Sequence, residues 1–166
     1  SLLEASDGAA IYLNEKPEIS MTVMRMPRIA LLQTWFSDMD AGWTRYLLDH
    51  YQVPFSVLHP GDVKHTELDE KFDVLLISDN AKTVLMEGKY RRDDGLRVSD
   101  YPPEYTKGLG AEGLQRILYF INQGGLVITW GESTSLFTGT LSVKNEKNET
   151  EEFNLPYSNV AENLVK

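Results

Sequence analysis

Apolar runs and helical periodicities alternate along the middle of this chain. The stretch from Arg28 to Trp35 reads as a buried strand, because near-continuous apolar runs belong to strands covered on both faces. Trp43, Tyr46, Leu47 and His50 or Tyr51 then recur at helical spacing, which predicts an amphipathic helix over 40–51 that Pro54 stops. Phe55 to Leu58 reads as a short second strand, followed by the turn signal His59-Pro60-Gly61-Asp62 and a short helix over 64–70. The strongest strand pattern runs from Phe72 to Asp79. A long charged connection over 80–105 separates it from a helix over 112–123, with Leu114, Ile117, Leu118 and Ile121 on one face. Gly124-Gly125 ends that helix, and Leu126 to Trp130 reads as the fourth buried strand.

This alternation predicts a doubly wound, mainly parallel sheet in a three-layer α/β/α, flavodoxin-like fold. Right-handed crossovers place helices on both faces, in the strand order second, first, third, fourth. The α/β domain spans 28–140. It follows an extension over 1–27, with candidate short strands at 9–13 and 19–24, and precedes a polar extension over 141–166. Within the latter, 144–154 reads as a surface loop or a weakly ordered hairpin.

Composition narrows the chemistry. At 166 residues and 42% hydrophobic, the chain suits one domain with a real core. A net charge of −9 argues against nucleic acid or an anionic membrane as partner. There is no apolar run long enough to span a membrane, and the first residues lack a charged-then-apolar signal pattern. With zero cysteines the chain has no disulfide, thiolate metal site or cysteine nucleophile. His50, His59 and His65 lack the spacing that puts two ligands on one face of a turn or helix, and the third residue after His65 is Leu68. No metal or other cofactor is expected in this chain.

Three motifs are candidates for function. The first is the turn after the opening strand, where Trp35, Asp38, Asp40, Trp43 and Arg45 crowd the carboxyl end of a strand, the place where open α/β sheets bind ligands. Asp38 and Asp40 can act as paired carboxylates, or Asp40 as a helix N-cap; the tryptophans can be core residues or docking groups; Arg45 can pair with a nearby carboxylate. The second is Gly108-Leu109-Gly110-Ala111-Glu112-Gly113, with Glu132 some 20 residues beyond the helix start, which matches a dinucleotide fingerprint. It follows Pro102-Pro103-Glu104-Tyr105, which is no central strand, so a glycine-rich lead-in to a helix is the expected reading. The third is Gly131-Glu132-Ser133-Thr134-Ser135, which imitates a nucleophile elbow but has Ser135 where the last glycine belongs. Ser133 and Thr134 read better as a helix N-cap. Asp79, at the end of the third strand, completes a candidate cleft with these loops.

The run from Arg28 to Trp35 followed by Met39-Asp40-Ala41-Gly42-Trp43-Thr44-Arg45 resembles the class I glutamine amidotransferase-like domain attached to bacterial zinc carboxypeptidases. The likeness continues in Phe72-Asp73-Val74, in Pro103-Glu104-Tyr105 with Gly108-Leu109-Gly110 and Gly113, and in Gly124-Gly125 before the fourth strand. It covers residues 27–137, about two thirds of the chain. In related amidotransferase-like folds the nucleophilic cysteine follows the strand equivalent to Leu126 to Trp130, where this chain has Gly131, Glu132 and Ser133.

The resemblance thus implies a flavodoxin-like sheet without amidotransferase chemistry. It also implies a zinc site in a separate catalytic peptidase domain of the same polypeptide, and a secreted or periplasmic parent enzyme. The expected function is a non-catalytic accessory or interaction domain of a zinc carboxypeptidase, a role compatible with self-association. The alternative is a stand-alone hydrolase or small-ligand-binding protein of the same fold, using the cleft between the opening turn, Asp79 and residues 131–135.

Overall fold

Four short strands set the frame. A computed structural model describes residues 24–35, 38–89, 102–144 and 149–155. In it β1 (Ile29–Leu32), β2 (Phe55–Leu58), β3 (Val74–Ile77) and β4 (Leu126–Thr129) pair in the order β2-β1-β3-β4, all parallel. This is the order and the three-layer, flavodoxin-like class expected from the sequence. The candidate strand at 9–13, most of that at 19–24 and residues 90–101 of the long connection lie outside the described residues.

Register sorts the strand residues by face. Ala30 lies beside Ser56 and Leu75, Leu32 beside Leu58 and Ile77, and Leu75 beside Val127. These positions share one side of the pleat, and that side carries the main core with Val63, Leu68, Leu85 and Leu136. Among the described residues four helices complete the α/β framework: α1 (Met39–His50), α2 (Leu68–Lys71), α3 (Lys82–Glu87) and α4 (Gly110–Asn122). Helix α4 buries Leu114, Ile117 and Phe120 against the core, while Leu118 and Ile121 are only partly buried. The buried stripe is therefore rotated toward Phe120 from the face expected.

The crossover from β1 to β2 runs opposite to those from β2 to β3 and from β3 to β4, so right-handedness puts α1 on the other face of the sheet from α4. There Leu31 is fully buried and Ala41 is the one buried residue of α1. This second layer is thin. Leu126 and Ile128, read from the sequence as part of a buried strand, are 53% and 45% exposed, because β4 is an edge strand and its α1-side face lies beyond α1, the one helix on that face among the described residues.

Two further expectations change. The helix expected over 64–70 is a 3-10 turn, Pro60–His65, followed by α2. Pro60 favours the tight turn at its start, and extended Thr66 breaks the continuation. The connection over 80–105 contains α3 and a 3-10 turn, Pro103–Thr106. The polar stretch near the end forms a hairpin, with β5 (Thr140–Lys144) antiparallel to β6 (Thr150–Asn154), and Leu155 packs on the main core. Among the described residues no helix is long and apolar enough to cross a membrane.

An ion-pair clamp holds the amino end of the sheet. Asp73 accepts from the Arg28 backbone N–H at 2.8 Å, from Arg28 Nη2 at 2.9 Å and from Arg25 Nη2 at 2.9 Å. Arg28 also donates to the Glu70 carbonyl. The hydrogen bonds from Arg28 hold the Asp73 carboxyl well below the usual carboxylate range. A depressed folded-state pKa means that the folded protein favours the charged form. The contribution is present above the unfolded value of 3.8 and fades as pH falls below it. Asp73→Asn is therefore expected to flatten the acid limb of stability against pH while changing little in the slope above neutrality, as read by urea unfolding from pH 2 to 8.

Candidate functional site

The carboxyl ends of β1, β3 and β4 meet where the connections leave in opposite directions, the usual ligand crevice of an open α/β sheet. Here the crevice is laced by its own side chains. Asp38 caps α1: its Oδ1 accepts from the Ala41 N–H at 3.1 Å and from Ser78 Oγ at 3.0 Å. Its Oδ2 accepts from the Thr34 N–H at 2.7 Å and from Thr34 Oγ1 at 3.1 Å. Four donors occupy a carboxylate with about four lone-pair sites. Asp38, not Asp40, is thus the N-cap, because the helix begins at Met39 and already includes Asp40 as its second residue. Asp40 instead sits in the first turn, where its carbonyl accepts from Thr44 Oγ1 at 2.8 Å.

The lacing continues across the sheet. Asn80 Nδ2 donates to Thr34 Oγ1 at 3.2 Å, joining the β1 and β3 loops. The Asn80 N–H donates to Ser133 Oγ at 3.0 Å, and Ser133 Oγ donates to the Ser78 carbonyl at 2.5 Å, joining the β3 and β4 loops. Ser133 is fully buried. It caps no helix, contrary to the sequence reading; it is a cross-brace inside the 3-10 turn Gly131–Leu136. A nucleophile must reach its substrate, and this hydroxyl is enclosed and engaged on both sides.

Asp79 holds the last stitch. Its Oδ1 accepts from the Glu132 N–H at 2.7 Å, while the Glu132 side chain stands in an exposed turn residue. Gly131 makes that contact feasible: its φ is +63°, and a Cβ there would meet the Asp79 carboxyl carbon at 2.1 Å.

Beside this rim stands an aromatic cluster. Trp35 is half exposed, stacks on His59 with centroids 3.7 Å apart, and meets Tyr105 edge-on at 4.8 Å. His59 Nδ1 lies 2.7 Å from the Gln33 carbonyl. Arg45 donates to Gln33 Oε1 at 3.2 Å rather than to one of the carboxylates expected for it, because Gln33 sits at the end of β1 within its reach. Trp43 is no core residue either: its side chain is 62% exposed on the outer side of α1.

The glycine motif has a structural explanation. A Cβ on Gly108 would stand 2.2 Å from the Met86 carbonyl oxygen, so backbone packs directly on the end of α3, and Leu109 N–H donates to the Leu85 carbonyl at 2.8 Å. Gly110 opens α4 with φ +59°. A 3-10 turn, not a buried strand, precedes them, so the strand-to-helix geometry of a dinucleotide site is missing.

His50 ends α1, His59 follows β2 and His65 ends a 3-10 turn. Among the described residues no three His, Asp or Glu side chains converge as metal ligands. Two cavities lie away from the rim. One, of about 120 Å³, is lined by Asp69, Phe72 and Phe120 at the amino end of the sheet. The other, of about 300 Å³, lies between Lys64 and α4 residues Glu112, Gln115, Arg116 and Tyr119.

Sequence reasoning singled out Asp38, Asp79 and Ser133 but missed Thr34, Ser78 and Asn80. The available signal is a polar residue within three positions of a buried strand's end. The fold and rim define a flavodoxin-like α/β domain whose switch point is closed by its own hydrogen bonds. No protein-family model, curated protein or solved structure matches the chain.

Gly131→Ala is expected to destabilise the domain by roughly 2–3 kcal/mol, from the left-handed backbone and the clash with Asp79. Asp79→Ala in the same protein should relieve the clash and recover part of the loss. Additive losses in urea unfolding would contradict this coupling.

Proposed function

We propose that this chain is a non-catalytic interaction domain, and that its partner is the catalytic domain of a zinc carboxypeptidase in the same polypeptide. The observation that carries the first half is the closed switch point. The groups a hydrolase would need at the crevice, Asp38 and Ser133, are spent on bonds to Thr34, Ala41, Ser78 and Asn80. Polar groups so engaged specify loop positions, and freeing them leaves buried partners unpaired. The second half rests on the resemblance carried by the Gly42-Trp43-Thr44-Arg45 turn and the segments that follow it. An interaction role also accounts for large apolar side chains left outside on α1, Met39, Trp43 and Tyr46 among them.

The chain on its own is expected to bind no stoichiometric zinc and to cleave neither a C-terminal peptide bond nor glutamine. Metal analysis of chelator-free protein and the two activity assays test this; one tightly held zinc, or turnover of either substrate, overturns it. Ser133→Ala should cost about 1–3 kcal/mol of stability through the unpaired Asn80 N–H and Ser78 carbonyl, and should leave the peptidase activity of the parent enzyme unchanged per folded molecule. Loss of activity in a folded variant would favour the hydrolase reading instead.

A further inference from the structure

Helix α1 is apolar on two opposite sides. Toward the sheet it turns Ala41, Thr44 and Leu48, the first buried and the others half-buried. On the far side stand Met39, Trp43, Tyr46 and His50, spaced four, three and four, with Leu47 and Tyr51 beside them. At 3.6 residues per turn the two stripes lie about half a turn apart. The outer side of a surface helix is ordinarily polar, and a helix apolar all round is ordinarily covered all round. Here Met39 is 75% exposed and Tyr51 72%.

The outer stripe is ordered by its own contacts. Trp43 and Tyr46 meet edge-on with centroids 6.1 Å apart, Tyr46 stacks on His50 at 5.9 Å, and His50 meets Tyr51 at 5.0 Å. Rings already held in place lose little freedom on docking. Within the stripe, nothing lies within 4 Å of where a Cβ on Gly42 would stand, which leaves room for close approach by another chain.

Resting on the interaction-domain reading, we infer that this outer stripe of α1 is the docking surface, and that it takes a separate domain whose contact patch is apolar at its centre and rimmed by lysine and arginine. Area and charge select that occupant. Taking 150–250 Å² for each fully buried aromatic, the exposed parts of the stripe amount to roughly 500 Å², and with an equal share from the partner to about 1,000 Å², the lower bound of specific interfaces. The chain carries a net charge of −9, and Asp40 and Asp49 flank the stripe on either side, so a basic rim is the complementary one. A second copy fits worse. Each copy would bring a net charge of −9 and no basic rim to meet Asp40 and Asp49.

The experiment uses the polypeptide encoded by the complete gene, with the peptidase domain from that gene as the probe. Amide exchange over residues 42–51 is expected to slow at least tenfold in the full polypeptide relative to this chain alone. Trp43→Ala with Tyr46→Ala should abolish that protection and weaken association of the separately produced domains at least tenfold, while the chain's own midpoint of urea unfolding barely moves. Asp40→Lys with Asp49→Lys should weaken it too, through the lost complementarity. Unchanged association in both variants overturns the surface but leaves the accessory reading standing. No association of the unsubstituted domains overturns that reading and the surface with it. Self-association lost in the aromatic variant, or exchange already slow in the chain alone, assigns the stripe to a second copy or to a segment of this chain and overturns the proposed occupant.

Discussion

The Asp38 carboxylate is the knot on which the carboxyl end of the sheet depends. Between its two oxygens it takes the start of α1, the end of β1 and the hydroxyl that follows β3. Two of the donors are backbone N–H groups, Ala41 at the helix start and Thr34 just past the strand end, and two are the hydroxyls of Thr34 and Ser78. One side chain thereby satisfies three chain segments and fixes their spacing. Thr34, Asn80 and Ser133 extend the same logic to β4, so that the place where an open α/β sheet commonly admits a ligand is filled with the protein's own donors and acceptors.

A consequence is that rigidity and exposure are divided between the two faces of the sheet. One face has α2, α3, α4 and a deep cluster around Leu75, Leu114 and Phe120. Among the described residues the other has α1 alone, with Ala41 as its buried residue. A helix anchored by so narrow a stripe depends on its cap at Asp38 to stay in position, which ties the closed rim to the orientation of the aromatic residues on the helix's outer side.

Much of the frame was legible in the sequence because parallel strands, covered on both faces, are written as apolar runs. Phe55–Leu58 matches its expected limits, and the strand order follows from the right-handed crossover. The direction in which α1 faces was not legible. Periodicity gives a helix and its apolar stripe, but it assumes that the stripe points inward, and here Trp43 and Tyr46 point outward while small Ala41 faces the sheet. The same assumption fails for Leu126 and Ile128 on the edge strand. At the site, Asp38 and Ser133 could be marked as chemically suggestive, yet whether a carboxylate or hydroxyl is free for chemistry depends on residues up to 55 positions away, which no local pattern carries. Arg45 illustrates the same point, since its partner is the amide of Gln33 and not an acid.

That Asp38 and Ser78 belong to one structural network at the rim is tested most directly by a double-mutant cycle on Asp38→Ala and Ser78→Ala, read by chemical denaturation. Each single variant is expected to be destabilised, and the pair to show a coupling free energy of about 1 kcal/mol or more, as for partners in one buried network. A coupling near zero, with both single variants close to the parent in stability, would contradict it.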